Sequence, residues 1–150
     1  MMKFCLVCSS GGHFLQLYSL RELWEGRERI WVTFPKEDTK VLLEGEHIYW
    51  AYHPTNRNIR NLFRNCSLAL KVLRKEKPSV VISTGAGVAV PFIYGARLLG
   101  IRTIYIESLT RVKALSLTGN LVYPAARHFL VQWPELAQRH RKALYKGQVI

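Results

Sequence analysis

The hexapeptide Cys8-Ser9-Ser10-Gly11-Gly12-His13 joins two different periodicities. Ahead of it, Lys3 to Cys8 is a short apolar run (Phe4, Cys5, Leu6, Val7) of strand length. Behind it, Phe14, Leu17, Tyr18, Leu20, Leu23 and Trp24 recur at helical spacing. The chain therefore opens strand, Gly-rich turn, helix. Two hydroxyl residues and two glycines let the backbone turn sharply and present N–H groups at a helix N-terminus, where the dipole favours an anion. His13 falls in the first helical turn, beside whatever the turn holds. Two readings fit: a cradle for a phosphate-bearing ligand, or a tight turn with Ser10 as N-cap and His13 merely exposed. The stretch is not the full G-x-G-x-x-G dinucleotide fingerprint.

The same order of elements returns further on. Ser79 to Ser83 is a buried-type strand, Thr84-Gly85-Ala86-Gly87 a small-residue turn, and Val88 to Leu99 an apolar helix ended by Gly100. Pro91 suits the first turn of that helix, where its missing N–H matters little. Between the two units, Arg29–Thr33 and Glu46–Tyr52 have strand composition, Thr39–Leu43 suits a short helix, and His53-Pro54 closes the third strand. After them come strands at Arg102–Ile106 and His128–Gln132, a loop and short helix over Lys113–Val122, and a turn or helix from Trp133-Pro134. The tail Tyr145–Ile150 reads as one more strand starting. Strands alternating with helices predict an α/β fold with a Rossmann-like, doubly wound parallel sheet over residues 1–150 as one domain. Ligands of such sheets bind outside the strand C-termini, the edge that both Gly turns and Glu107 share.

Asn58 to Lys77 predicts the clearest helix. Ile59, Leu62, Phe63, Cys66, Ala69, Leu70 and Leu73 make one apolar stripe. Arg57, Arg60, Arg64, Lys71 and Lys75 fall on the opposite face, with Leu68 and Val72 among them. Apolar residues among cations suit a surface that touches lipid head groups; an ordinary solvated Lys/Arg face is the alternative. Charge is unevenly placed throughout. The net charge is +12, but residues 1–46 sum to −1 and residues 47–150 to +13, with only Glu76, Glu107 and Glu135 as acids in the second stretch. That asymmetry points to an anionic partner: nucleic acid, an acidic membrane surface or phosphate-rich substrates.

Other classes find little support. Three cysteines without regular spacing make no disulfide framework, and Cys5-x-x-Cys8 inside a strand reads as core filling. The five histidines have no metal-ligand spacing, so no metal is expected. There is no Gly-x-Ser-x-Gly elbow beside Ser9, Ser10 and His13. No signal peptide or apolar run of about 20 residues is visible, so a cytoplasmic location is expected. At the shared edge, His13 can act as general base or neutral donor, and Glu107 as base, acceptor or orienting group. An ion at the end of an apolar strand needs a partner, which Arg111 or a ligand hydroxyl could supply, and a structural Glu–Arg pair is the alternative.

Four motifs in order carry a family resemblance: Cys8-Ser-Ser-Gly-Gly-His13-Phe-Leu-Gln16, Ser83-Thr-Gly-Ala-Gly87, Tyr105-Ile-Glu-Ser108 and Val131-Gln-Trp-Pro-Glu-Leu136. The chain resembles the accessory, membrane-associated subunit of the two-component glycosyltransferases of bacterial capsule and exopolysaccharide assembly. It is similar also to the accessory subunit of the eukaryotic transferase that adds the second N-acetylglucosamine to dolichol-linked oligosaccharide, and to the N-terminal domain of the peptidoglycan N-acetylglucosaminyltransferase, a GT-B enzyme. The resemblance implies that Gly11, Gly12 and His13 lie near the transferred sugar and phosphates, Gly85 to Gly87 near the acceptor, and Glu107 in the cleft. It implies a separate partner subunit that grips the UDP-sugar. The eukaryotic relatives carry an N-terminal membrane helix; here membrane contact is expected instead from Arg57, Arg60, Arg64, Leu68, Lys71 and Lys75, or from Val88–Leu99.

The combined expectation is the acceptor-binding half of an inverting glycosyltransferase, peripheral on the inner face of the cell membrane, extending a lipid-pyrophosphate-linked saccharide without cofactor. His13 is expected as base and Glu107 as the group orienting the acceptor sugar. Ser9, Ser10, Gly11, Gly12, Thr84, Gly85, Gly87, Ser108 and Arg111 are expected to bind phosphate or substrate. An independent nucleotide-binding module and a basic nucleic-acid-binding protein are the rivals, and no nucleic-acid-binding signature supports the second.

Overall fold

Alternate residues of the first strand, β1 (Lys3–Cys8), enter two different cores: Cys5 and Val7 on one face, Phe4, Leu6 and Cys8 on the other. A strand buried on both sides needs helices above and below it. The computed structural model, which describes residues 2–149, supplies them. The remaining strands are β2 (Glu28–Thr33), β3 (Ile48–Trp50), β4 (Val80–Gly85), β5 (Arg102–Ile106), β6 (His128–Val131) and β7 (Ala143–Tyr145). All pair in parallel, in the order β3-β2-β1-β4-β5-β6-β7. The order reverses between β1 and β4, so the C-terminal ends of these two strands flank the switch point where such sheets bind ligands. Cys5 and Cys8 are fully buried, and burial pushes the Cys8 thiol up to about 12, consistent with core filling.

The helices are α1 (Gly12–Ser19), α2 (Arg21–Trp24), α3 (Glu37–Leu42), α4 (Ile59–Glu76), α5 (Ala89–Leu98), α6 (Leu117–Val122) and α7 (Pro134–Arg139). Phe14 and Leu17 of α1, Trp24 of α2 and Leu43 after α3 pack with Trp31 on one face; α4 to α7 cover the other. The expected first helix is therefore two, broken at Leu20. Because α1 to α3 all precede β3, their face thins toward the far edge of the sheet. There Ile104 and Leu130 are half-buried and Leu144, in register with Leu130, is 42% exposed. The last strand forms earlier than expected, at Ala143–Tyr145, and Met1 and Ile150 lie outside the described residues.

Helix α4 has the expected length but a different buried face. Asn61, Asn65, Ala69, Val72 and Leu73 face the core, while Ile59 and Phe63 are 71% and 69% exposed. The asparagines are buried because they satisfy the incoming loop: Asn65 accepts from Tyr52 N at 2.9 Å and donates to Tyr52 O at 3.0 Å, and Asn61 donates to Pro54 O at 2.8 Å. Paired in this way, a buried amide is tolerated. Leu68 and Val72 pack toward the core, so Leu68 is not part of a lipid-facing stripe. Arg57, Arg60, Arg64, Lys71 and Lys75 are exposed. The exposed Ile59, Leu62 and Phe63 lie between the core face and this basic flank.

Candidate functional site

The Gly turn after β1 starts α1 at Gly11, not Ser10. Gly11 is the cap, at φ 79°, a left-handed conformation that favours glycine, and no side chain caps the helix. Its N–H donates to Asp38 Oδ2 at 2.9 Å. A carboxylate from α3 thus already occupies one amide of the expected phosphate cradle. Ser9 is buried, its N–H donating to Gly85 O at 3.0 Å, which ties this turn to the one after β4. Ser10 is half-buried and Gly12 exposed at the same turn.

Among the described residues, the His13 side chain hydrogen-bonds to Thr84. Its Nδ1 lies 2.7 Å from Thr84 O, and Thr84 Oγ1 donates to His13 O at 2.6 Å. A carbonyl only accepts, so Nδ1 carries a proton, and in the neutral tautomer with that proton the lone pair is on Nε2. Gly85, at φ 109°, makes room for the ring: a Cβ there would sit 2.9 Å from His13 Nδ1. The bare backbone of Gly87 does the same for Thr55, whose Oγ1 would be 2.9 Å from an added Cβ.

His13 opens onto a cavity of about 750 Å³ between the start of α4, the start of α5, and α6. Gly87, Ser108, Thr110 and Arg111 line it with Arg57, and Ile59, Leu62, Leu117 and Leu121 form an apolar side. Leu117 is 74% exposed, so the apolar side continues onto the surface beside Ile59 and Phe63. Among the described residues, no Asp or Glu lines the cavity. Burial first, then the charge of Glu107, pushes the Tyr105 phenol at its base above its ordinary 10.0, so Tyr105 is a neutral donor.

Glu107 is the principal correction. It does not face the cleft, and it does not pair with Arg111 among the described residues. Its carboxylate is fully buried beneath α6 and accepts from Ser108 N at 2.9 Å, Ser116 N at 2.9 Å and Ser116 Oγ at 3.0 Å. A Cβ on Gly119 would overlap Oε2. Its backbone carbonyl accepts from Gln16 and Gln132, at 3.3 and 2.9 Å. Glu107 therefore locks β5, β6, α1 and α6 together and sets the course of the loop carrying Ser108 and Arg111. The cavity brings together His13, Gly87, Ser108 and Arg111 from the expected set, while Ser9, Ser10, Gly11, Gly12, Thr84 and Gly85 support it from behind or at its side. Sequence reasoning missed Thr55 to Asn58, whose polar, turn-forming composition after His53-Pro54 was the available signal. It assigned Arg57 to the membrane stripe instead.

The fold is a Rossmann-like parallel α/β sheet, with about half of each GT-B-like structural neighbour matched by this chain. It matches the crystal structure of Acinetobacter baumannii MurG with a TM-score of 0.79 and 18% identity, over 97% of this chain and 46% of that one. It matches the S. aureus MnaA–UDP co-structure with a TM-score of 0.76 and 14% identity, over 99% and 45%. The chain belongs to the Alg14 family: residues 53–149 match the family described as "Oligosaccharide biosynthesis protein Alg14 like". Among relatives, the UDP-N-acetylglucosamine transferase subunit ALG14 of Eremothecium gossypii is 36% identical over 61% of this chain and 46% of its own length. The human protein of that name is 35% identical over 55% and 41%. The chain thus spans less than half the length of these relatives. Both are eukaryotic, and neither name carries the capsule or exopolysaccharide setting expected from the sequence. No helix among the described residues is long and apolar enough to cross a membrane.

Proposed function

We propose that the chain is the acceptor-binding, membrane-facing half of a heteromeric inverting glycosyltransferase acting on a lipid-pyrophosphate-linked saccharide. The observation that carries this reading is the cavity at the switch point. One amphiphile would meet a base, two arginines and an apolar side in a single cleft. Arg57 and Arg111 take the pyrophosphate, the apolar side takes the first part of the lipid, and the saccharide lies toward His13. His13 Nε2 accepts the proton of the acceptor hydroxyl as its oxygen attacks C1 of the donor sugar. The C1–O bond to phosphate breaks, and UDP leaves with the electron pair.

The names of the relatives favour UDP-N-acetylglucosamine as donor. In this reading the donor is held mainly by a partner subunit, which also neutralises the leaving diphosphate without a metal ion. The amide of Gly11 is not assigned that role, because Asp38 holds it. Glu107 is a positioning residue for the loop of Ser108 and Arg111. The protein works on the cytoplasmic face of a membrane, in lipid-linked oligosaccharide synthesis. Transfer to a lipid-linked acceptor, measured with and without the partner subunit, tests the proposal. Activity requires both chains; full turnover by this chain alone overturns the split-enzyme reading.

A further inference from the structure

At the opposite edge of the sheet, where the chain runs into β5, β6 and β7, lies a second cavity of about 350 Å³. Four cations from four separate segments line it: Arg97 in the last turn of α5, Arg102 at the start of β5, Arg127 just before β6 and Lys142 just before β7. Among the described residues no Asp or Glu lines it, and none of the four forms an ion pair. The C-terminal dipole of α5 accounts for a cation at Arg97. It does not account for the other three, which come from strand approaches.

The cavity has defined walls. Ala125, Ala126 and Thr103 are buried, and their small side chains leave the space open. The Thr103 hydroxyl oxygen accepts from Arg127 N at 2.8 Å, fixing the backbone beneath the Arg127 side chain and leaving the hydroxyl proton for another acceptor. Lys142 is drawn inward: Nζ donates to Tyr123 O at 2.8 Å and lies 5.7 Å from the centre of the Tyr123 ring. Burial first, and the charge of Arg97 second, hold its amine below the ordinary 10.5. Arg97 and Lys142 therefore repel each other with no carboxylate between them.

We infer that this cavity binds a multiply charged phosphate-class anion, at a site separate from the sugar-transfer cleft. Guanidinium groups present forked donors that match phosphate oxygens, and a group of such cations without acids is at its lowest energy around an anion with several charges. The volume is at the lower end of the range for ligand pockets, about 300–1,000 Å³, which suits a diphosphate or a phosphate ester with a small substituent. A soluble phosphate compound and the headgroup of an anionic lipid share this chemistry. The inference does not depend on the sugar-transfer reading, since it concerns other residues and a readout without turnover.

The test uses the full chain carrying R57Q and R111Q, so that the cations of the cleft do not contribute. Inorganic pyrophosphate, added at constant ionic strength, raises its melting temperature and binds with measurable affinity. Adding R97Q and R127Q weakens that binding at least about tenfold, as expected when charged hydrogen bonds are lost. It also raises the melting temperature without anion, because like-charge repulsion is relieved. Lys142→Met weakens the binding likewise, by a different change; its melting temperature also registers the lost hydrogen bond to Tyr123 O and is not compared. A parallel arm measures co-sedimentation with vesicles of phosphatidylcholine and phosphatidylglycerol. Binding that depends on Arg97 and Arg127 and is competed by pyrophosphate assigns the site to a lipid headgroup; vesicle binding indifferent to them assigns it to a soluble phosphate. Equal pyrophosphate binding with and without R97Q and R127Q, or none in either, overturns the inference.

Discussion

At His13 a single neighbour sets both the tautomer and the position of the ring, because Thr84 accepts from the ring and donates to the His13 backbone. Removing the imidazole leaves one buried group without its partner, the Thr84 carbonyl, which water entering the vacated space from the cavity can solvate. His13→Ala is therefore expected to lower turnover of the reconstituted pair by about 10²–10⁴-fold, the range for losing a general base. Its melting temperature stays near that of the parent chain, and near-parental turnover would remove the assignment. Glu107 behaves in the opposite way. Both its oxygens accept, so Glu107→Gln turns an amide N–H toward a donor of Ser108 or Ser116. The expected cost is about 1–3 kcal/mol of stability, read by thermal or denaturant unfolding. Turnover falls with it, through a raised KM for acceptor as the loop of Arg111 shifts. A variant with unchanged stability and a purely lowered kcat would return Glu107 to the chemistry. The sequence marked Glu107 correctly as an ion closing an apolar strand, but its partner was not legible. Ser116 is nine residues on, and only the folding of α6 over the strand end brings it there.

Secondary elements were legible wherever apolar alternation or a Gly turn marked them, and β1 and β5 match their expected spans. Helix α4 was legible in length and not in orientation. Its most apolar stripe faces outward at the N-terminal half, since two asparagines take the inner face to bind the backbone of residues 52–54. Periodicity alone cannot reveal that trade, because a buried amide looks polar in any window. The outcome is a helix with an exposed apolar flank beside a basic one, a combination suited to an anionic membrane surface. Reversing Arg60, Arg64 and Lys71 to Glu is expected to release the chain from anionic vesicles without unfolding it, and added salt to do the same. Phe63→Asp weakens binding even at low salt; unchanged co-sedimentation in both variants would assign this flank to solvation. The other end of α4 is tied to the sheet by Glu76, which accepts from Lys3 Nζ at 2.5 Å and from the Tyr49 hydroxyl. The Lys3 hydrogen bond first, and that of Tyr49 second, lower the Glu76 pKa from its ordinary 4.5. A depressed carboxylate stabilises the fold above its unfolded value and loses that contribution as pH falls through the folded one. Stability should therefore decline with acid below about pH 4.5, and Glu76→Gln should flatten that part of the profile in unfolding curves measured across it.

For the molecule as a whole, the parallel order and the switch point followed from strand–helix alternation, while the cavity is lined by His13 and by Ala86 and Gly87 of the second Gly turn, not by Gly11 or Gly12 of the first. What alternation could not show is which parts of the sheet remain uncovered, since that depends on how many helices lie on each side. Here the count is unequal. Helices α4 to α7 cover one face, while the three on the other come before β3 and leave Ile104, Leu130 and Leu144 over β5 to β7 partly exposed. An apolar sheet face of this kind is normally packed against another layer. In the split enzyme proposed above, the missing layer would come from the partner subunit. Leu144→Asp puts a charge on the edge strand of that face, on a residue 42% exposed, where it costs the isolated chain little. It is expected to weaken association with the partner by about tenfold or more, the effect of losing a buried interface anchor. Leu98→Asp serves as the control, because Leu98 is 81% exposed on α5, across the sheet. Association is measured by titration of the labelled partner, with the melting temperature of each variant recorded. A loss confined to Leu144→Asp places the second subunit on the bare side of β5 to β7. Equal affinity in both variants would move the contact elsewhere and leave that face without its proposed cover.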